Sequence, residues 1–170
     1  MQLIRFFAGV WGVYAVSSLA SPSADIVESC RKMKVVSQGV QVEDVVSGFA
    51  KKAAAGCENQ LEAKVDGKIY GYSTCNSQQY LIVSNKFFLA SQAINHSIDK
   101  NIVPGNTFSG SSTTLLNVKK GSESYLCIIS PIFDSGKWNN YLTFYLIKHG
   151  QSSITPEVDF YFIDKIDWDK

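Results

Sequence analysis

The chain has 170 residues, 45% hydrophobic and 18% charged, with 16 Lys and Arg against 15 Asp and Glu. That length builds one domain with a real core and excludes two comfortable ones. The near-zero charge excludes strong nonspecific attraction to nucleic acid.

Arg5 leads into the apolar run Phe6 to Val16, and the small residues Ser18 and Ala20 stand where signal peptidase reads. A charged start, a short apolar stretch and a small-x-small site predict a removable export signal over residues 1–20. The run is too short to span a bilayer comfortably. Cleavage after Ala24 is one alternative; an anchoring N-terminal helix is another, although nothing basic follows to stop transfer. The mature chain, 21–170, then reads as a single secreted domain with no membrane span. Arg5 is the one charged residue in the leader, so its removal leaves basic and acidic residues in equal number. Arg31, Lys32 and Lys34, and the pair Lys119 and Lys120, read as solvated faces.

Export places Cys30, Cys57, Cys75 and Cys127 where disulfides form and persist, which predicts two bridges. No CxxC occurs among them, so neither a zinc knuckle nor a thioredoxin-like site is suggested. All three pairings remain open.

After a polar start, Lys32 to Val36 reads as a short strand and Ser37-Gln38-Gly39 as a turn. Val42, Val45, Val46, Phe49 and Ala53 then recur at helical spacing, with Lys51 and Lys52 off the stripe. With Glu43 and Asp44 in the first turn and Gly56 as a left-handed stop, the pattern predicts a helix over 42–56, at a cost of roughly 1 kcal/mol for Gly48. Asp66-Gly67 between Leu61 to Val65 and Lys68 to Tyr72 predicts a hairpin. Tyr80 to Val83 reads as a strand. Phe87 to Ile98 fits a helix about as well as an irregular segment. Pro104, Gly105, Gly110 and a serine-threonine cluster make 100–114 a surface loop.

Tyr125 to Ile129, Tyr141 to Ile147 and Val158 to Ile163 are rich in aromatic and β-branched residues and predict strands of one antiparallel sheet. Pro131 ends the first, and Asp134 to Lys137 and Lys148 to Gln151 supply turns. The expected fold is α+β, one main helix packed on an antiparallel sheet.

Catalytic groups are sparse. His96 and His149 stand in no recognisable motif, and GxSxG, HExxH, GxxxxGK[ST] and GxGxxG are all absent. No catalytic, cofactor-binding or metal-ligating residue is therefore assigned. Glu43 and Asp44 fit a helix start, and Asp164, Asp167 and Asp169 decorate a terminus. Asn95-His96-Ser97 is a glycosylation sequon. Trp138 reads as core or sheet-edge filler rather than a ligand-stacking ring.

A short strand, the helix ending Ala53-Ala54-Ala55-Gly56-Cys57, then Gly71-Tyr72-Ser73-Thr74 and a strand closing Ser130-Pro131-Ile132, in that order, resembles the fungal guanyl-specific ribonucleases. It is more similar to the ribonuclease-like secreted effectors of powdery mildew and related plant-pathogenic fungi. The resemblance covers most of 30–163 through short motifs. A second registration takes Tyr72 to Cys75 as the aromatic-x-Cys opening, with the helix at about 78–97.

The resemblance implies a microbial-ribonuclease-like fold with Tyr72 facing RNA. The enzymes need an acid, a base and a phosphate-stabilising arginine. In the first registration Thr74 falls where the first histidine should stand, Ile129 replaces the glutamate and Phe160 the arginine, and no histidine follows His149, so the implied protein is a catalytically inactive virulence effector. Its implied partner is a host RNA or host protein, with recognition by a plant immune receptor and possible entry into the host cell; it needs no cofactor and acts as a monomer. An active secreted ribonuclease using His96 and His149, and a secreted structural or inhibitory protein of unrelated α+β fold, are the alternatives. The last predicts no helix at 42–56.

Overall fold

The computed structural model describes residues 21–98, 101–105, 112–131, 142–150 and 156–163. The leader, Trp138, Trp168, the turn at 134–137 and residues 106–111 of the loop 100–114 lie outside them.

The helix is not where the valine spacing put it. It is α1 (Ala24–Lys32), nine residues long, which turns Ile26, Ser29 and Cys30 inward at i, i+3 and i+4. Val27 N–H bonds to the Ser23 carbonyl to start it, and Met33 in the left-handed region closes it, with Met33 N–H on Cys30 O and Lys34 N–H on Ser29 O. Asp25 in the first turn and Arg31 and Lys32 in the last complement the helix dipole. The expected strand at 32–36 is therefore replaced by the helix end, after which Val35 is exposed. The turn at 37–39 is present.

The predicted helix at 42–56 is corrected to two strands, β1 (Val40–Asp44) and β2 (Ser47–Phe49). Its apolar stripe does not share one environment. Val42 packs beside the α1 cluster and Val45 against a different core, while Val46 is 92% exposed. Val40 and Val42 instead alternate with Gln41 and Glu43, and β-branched residues favour the pleat. Gly56 is left-handed, as expected of a stop, but it serves the turn before the next strand.

That strand is β3 (Cys57–Val65), followed by β4 (Lys68–Cys75), β5 (Gln78–Val83) and β6 (Lys86–Leu89). The Asp66-Gly67 hairpin forms as predicted. Asp66-Gly67, Asn76-Ser77 and Ser84-Asn85 all carry positive φ at both positions, the two-residue turn whose twist suits adjacent antiparallel strands. Phe87 to Ile98 holds no α-helix. It gives β6, a 3-10 turn at Ala90–Gln92 and β7 (Ile94–Asn95). The last third provides β8 (Thr114–Lys120), β9 (Glu123–Pro131), β10 (Leu142–Lys148) and β11 (Val158–Ile163), which include the three predicted strands.

Two sheets result. One has the order β1-β8-β9-β10-β11-β7, antiparallel except for the β11–β7 pair; the other has the order β2-β3-β4-β5-β6. Leu115, Leu126, Ile128, Tyr145 and Phe160 of the first face Leu61, Tyr70, Tyr72 and Leu81 of the second to form the larger core. The opposite face of the six-stranded sheet, with Leu116, Val118, Cys127, Phe144 and Leu146, packs against Ile26 and Cys30 of α1. The protein is thus α+β in three layers, with the six-stranded sheet in the middle. Cys30–Cys127 staples the helix to the centre of that sheet, and Cys57–Cys75 links neighbouring strands of the other.

Candidate functional site

Side chains alternate across a strand, so β11 sends Val158 and Phe160 into the core between the sheets and Asp159 and Tyr161 to the face that also carries α1. α1 packs chiefly over β8 and β1. Among the described residues, the β11–β7 end of the same face holds the one polar arrangement that resembles a site. Ile94 lies beside Asp159 in the parallel register, and His96, two residues on, shares that face.

His96 Nε2 lies 2.6 Å from Asp159 Oδ1, and Asp159 is only 5% exposed. The ring is also held flat on Tyr161, with centroids 4.7 Å apart, and Tyr161 stacks in turn on Phe144 at 4.8 Å. His96 N–H is anchored on Phe160 O. Burial pushes the Asp159 carboxyl above its usual range, opposed by the hydrogen bond and attraction of His96. Burial also raises the Tyr161 hydroxyl, with the charge of Asp159 adding to it. Tyr125, on the same face, has its hydroxyl pushed up to about 12, first by burial and then by Glu123, Asp159 and Glu157. That hydroxyl is enclosed without a hydrogen-bond partner. Lys148 and Glu157 pair nearby at 2.9 Å.

A histidine fixed by a buried carboxylate is how a general base is oriented, but a base needs a proton donor to act on. Among the described residues no hydroxyl, thiol or second acid is hydrogen-bonded to His96. The other histidine cannot supply the missing role. His149 bonds Asn117 Oδ1 at 2.9 Å, and Asn117, between Leu116 and Val118, points into the inter-sheet core. The two imidazoles therefore lie on opposite faces of one sheet. Among the described residues no group of three His, Cys, Asp or Glu could hold a metal, and no helix is long and apolar enough to cross a membrane.

The remaining sequence candidates fall in different places. Tyr72 is corrected from an RNA-facing position to the core, where it is 1% exposed. Asn95 donates from Nδ2 to Ile102 O at 2.9 Å and accepts Ser97 N–H at Oδ1, so a glycan would have to share a nitrogen already committed to the fold. The same two bonds turn the chain away after β7 and end this edge of the sheet. The four cysteines form two pairs, choosing one of the three connectivities. Gly105 N–H bonds to Tyr145 Oη, tying the start of the predicted surface loop to the core.

In the sequence Asp159 reads only as part of a strand. Alternation with Val158 and Phe160 puts Asp159 on the opposite face of the strand, which the sequence reads as solvent and the fold buries. No family model, curated protein or solved structure matches the chain.

Proposed function

We propose that the protein is an exported, host-directed effector that acts by binding rather than by catalysis, with a host protein as its target. The observation that carries this reading is the placement of His96 and His149 on opposite faces of the six-stranded sheet, which denies a substrate an acid and a base together. The two disulfides are compatible with a secreted chain. The host-directed part rests on the strand motifs of the resemblance to fungal effectors, since the helix at 42–56 that also carried it is replaced by strands. A protein target is favoured over RNA because Tyr72 is enclosed and the mature chain carries no net charge with which to hold phosphates.

The contact surface under this proposal is the β7–β11 end. There Ile94 and Ile98 are exposed on either side of His96, next to the rigid Tyr161 stack. Apolar groups flanking a preorganised polar pair suit a protein surface, since little side-chain order is lost on docking. A second reading is a secreted structural or inhibitory protein of unrelated α+β fold, favoured by the lack of a helix at 42–56, where β1 and β2 stand instead.

The test is a titration of mature 21–170, with both disulfides formed, against RNA, read for binding and cleavage together. The expected result is neither activity at physiological salt. Cleavage that disappears in His96→Ala would replace this proposal with the active ribonuclease. Saturable binding without cleavage would move the target from protein to RNA.

A further inference from the structure

The two cross-links stand in different surroundings. Cys30 and Cys127 are both 0% exposed and belong to the core between α1 and the six-stranded sheet. Neither Cys57 nor Cys75 belongs to a core. Side chains alternate along β4, so Tyr70 and Tyr72 enter the space between the sheets while Ser73 and Cys75 take the outer face of the five-stranded sheet. Cys57 lies directly across from Cys75 in the antiparallel register, at the end of the β3–β4 ladder away from the Asp66-Gly67 turn. It is part-exposed between the exposed Gly56 and Glu58, and Asn76, Ser77 and Gln78, which follow Cys75, are exposed as well.

The two sulfurs of this bridge are not equivalent. Cys75 is 8% exposed, and its Sγ lies 3.7 Å from Ser73 Oγ, whose hydroxyl otherwise donates to Glu58 O across a long 3.3 Å. A thiolate formed on Cys75 therefore has a hydroxyl beside it to donate a charge-assisted bond. Cys57 Sγ instead lies 3.9 Å from the carbonyl oxygen of Ala55, which disfavours negative charge there. Cys57 is thus the sulfur to be attacked and Cys75 the sulfur to leave.

We propose that Cys57 is a thiol-exchange site, which takes up a low-molecular-weight monothiol as a mixed disulfide while Cys30–Cys127 stays closed. The incoming thiolate attacks Cys57 Sγ. Its new S–S bond forms as the Cys57–Cys75 bond breaks, and Cys75 departs with the electron pair and takes a proton from water. A second thiolate then attacks the sulfur of the first, releasing the small-molecule disulfide and the Cys57 thiol. Two monothiols are oxidised for each protein disulfide reduced. Attack requires a third sulfur to reach the bridge, and the close-packed core around Cys30–Cys127 admits none while the protein is folded. That bond exchanges only through global opening. The β3–β4 ladder keeps its pairs from Leu61 to Val65 and their turn without the Cys57–Cys75 link, so the modified chain stays folded.

The test exposes mature 21–170, with both disulfides formed, to reduced glutathione at pH 7.5 without denaturant. Samples are quenched and alkylated in acid over time, and each cysteine is read by peptide mass spectrometry. We expect glutathione on Cys57 with Cys75 free, and loss of Cys57–Cys75 faster than loss of Cys30–Cys127 by roughly 10³-fold or more, the smallest folded-to-unfolded ratio of an ordinary small domain. NMR signals of Ile26 and Tyr72, one from each core, should persist through the first exchange. Equal rates at the two bonds, exchange at neither, glutathione carried by Cys75, or loss of both core signals together with Cys57–Cys75 would each overturn the proposal.

Discussion

The two sheets are built by different rules. In the six-stranded sheet Tyr125 to Ser130 and Leu142 to Ile147 are buried without interruption, because one face meets the other sheet and the reverse face meets α1. In the five-stranded sheet β3 buries Leu61, Ala63 and Val65 and leaves Glu62 and Lys64 between them in contact with solvent. Both contain a meander of consecutive strands, but the first is completed at its edges by pairings distant in sequence, β1 on β8 and β7 on β11, whereas the second is wholly local and carries three two-residue turns. Cross-links follow the same division. Cys30–Cys127 spans 97 residues and Cys57–Cys75 spans 18.

The largest expected effect tests that division directly. Replacing Cys30 and Cys127 by alanine should lower the unfolding free energy by about 4.7 kcal/mol, as a loop of roughly 100 residues is freed in the denatured state. Chemical denaturation of the oxidised variant measures it. Next is Gly71→Ala. A Cβ there would lie 1.9 Å from Leu61 O, and Gly71 has φ +153, so neither backbone nor side chain can absorb the change. A loss of about 4 kcal/mol or more is expected from such a clash, read from the denaturation midpoint. Replacing Cys57 and Cys75 by alanine should cost no more than about 3 kcal/mol, because the loop is short and the β3–β4 ladder already closes it. A cost equal to that of the Cys30–Cys127 pair would erase the contrast between the sheets.

The smallest effect is electrostatic. The folded pKa of Asp159 is raised, so its contribution to stability is present below the unfolded value near 3.8 and is lost as pH rises through the folded one. Asp159→Asn, which can still accept from His96, should therefore be more stable than wild type at pH 7. The gain should vanish below pH 4 in paired thermal melts.

The same contrast explains what the sequence reveals. Runs buried on both faces need no periodicity to be recognised, which is why the strands of the last third and the Asp66-Gly67 hairpin are legible. Val42, Val45, Val46 and Phe49 satisfy a helical period by chance. The chain leaves one sheet at Asp44 and enters the other at Ser47, and that crossing can be known only from what the valines touch. α1 is short, but its signals are local: Ser23 ahead of it, Asp25 in its first turn, Ile26, Ser29 and Cys30 on one face, and Arg31 with Lys32 at its end. The candidate site is less legible because β7 and β11 are separated by more than sixty residues and pair in parallel. No short motif can announce that His96 meets Asp159.

The unequal spans of the two cross-links also set an order of events. In a chain that emerges from its N-terminus, Cys57 meets Cys75 after 18 residues, within a meander whose partners are all near neighbours. Cys30 must wait until Cys127 has appeared, and meanwhile it passes two nearer thiols. Early closure of the meander removes both of those from competition. Hairpin formation ahead of oxidation would therefore leave Cys30 with only its native partner.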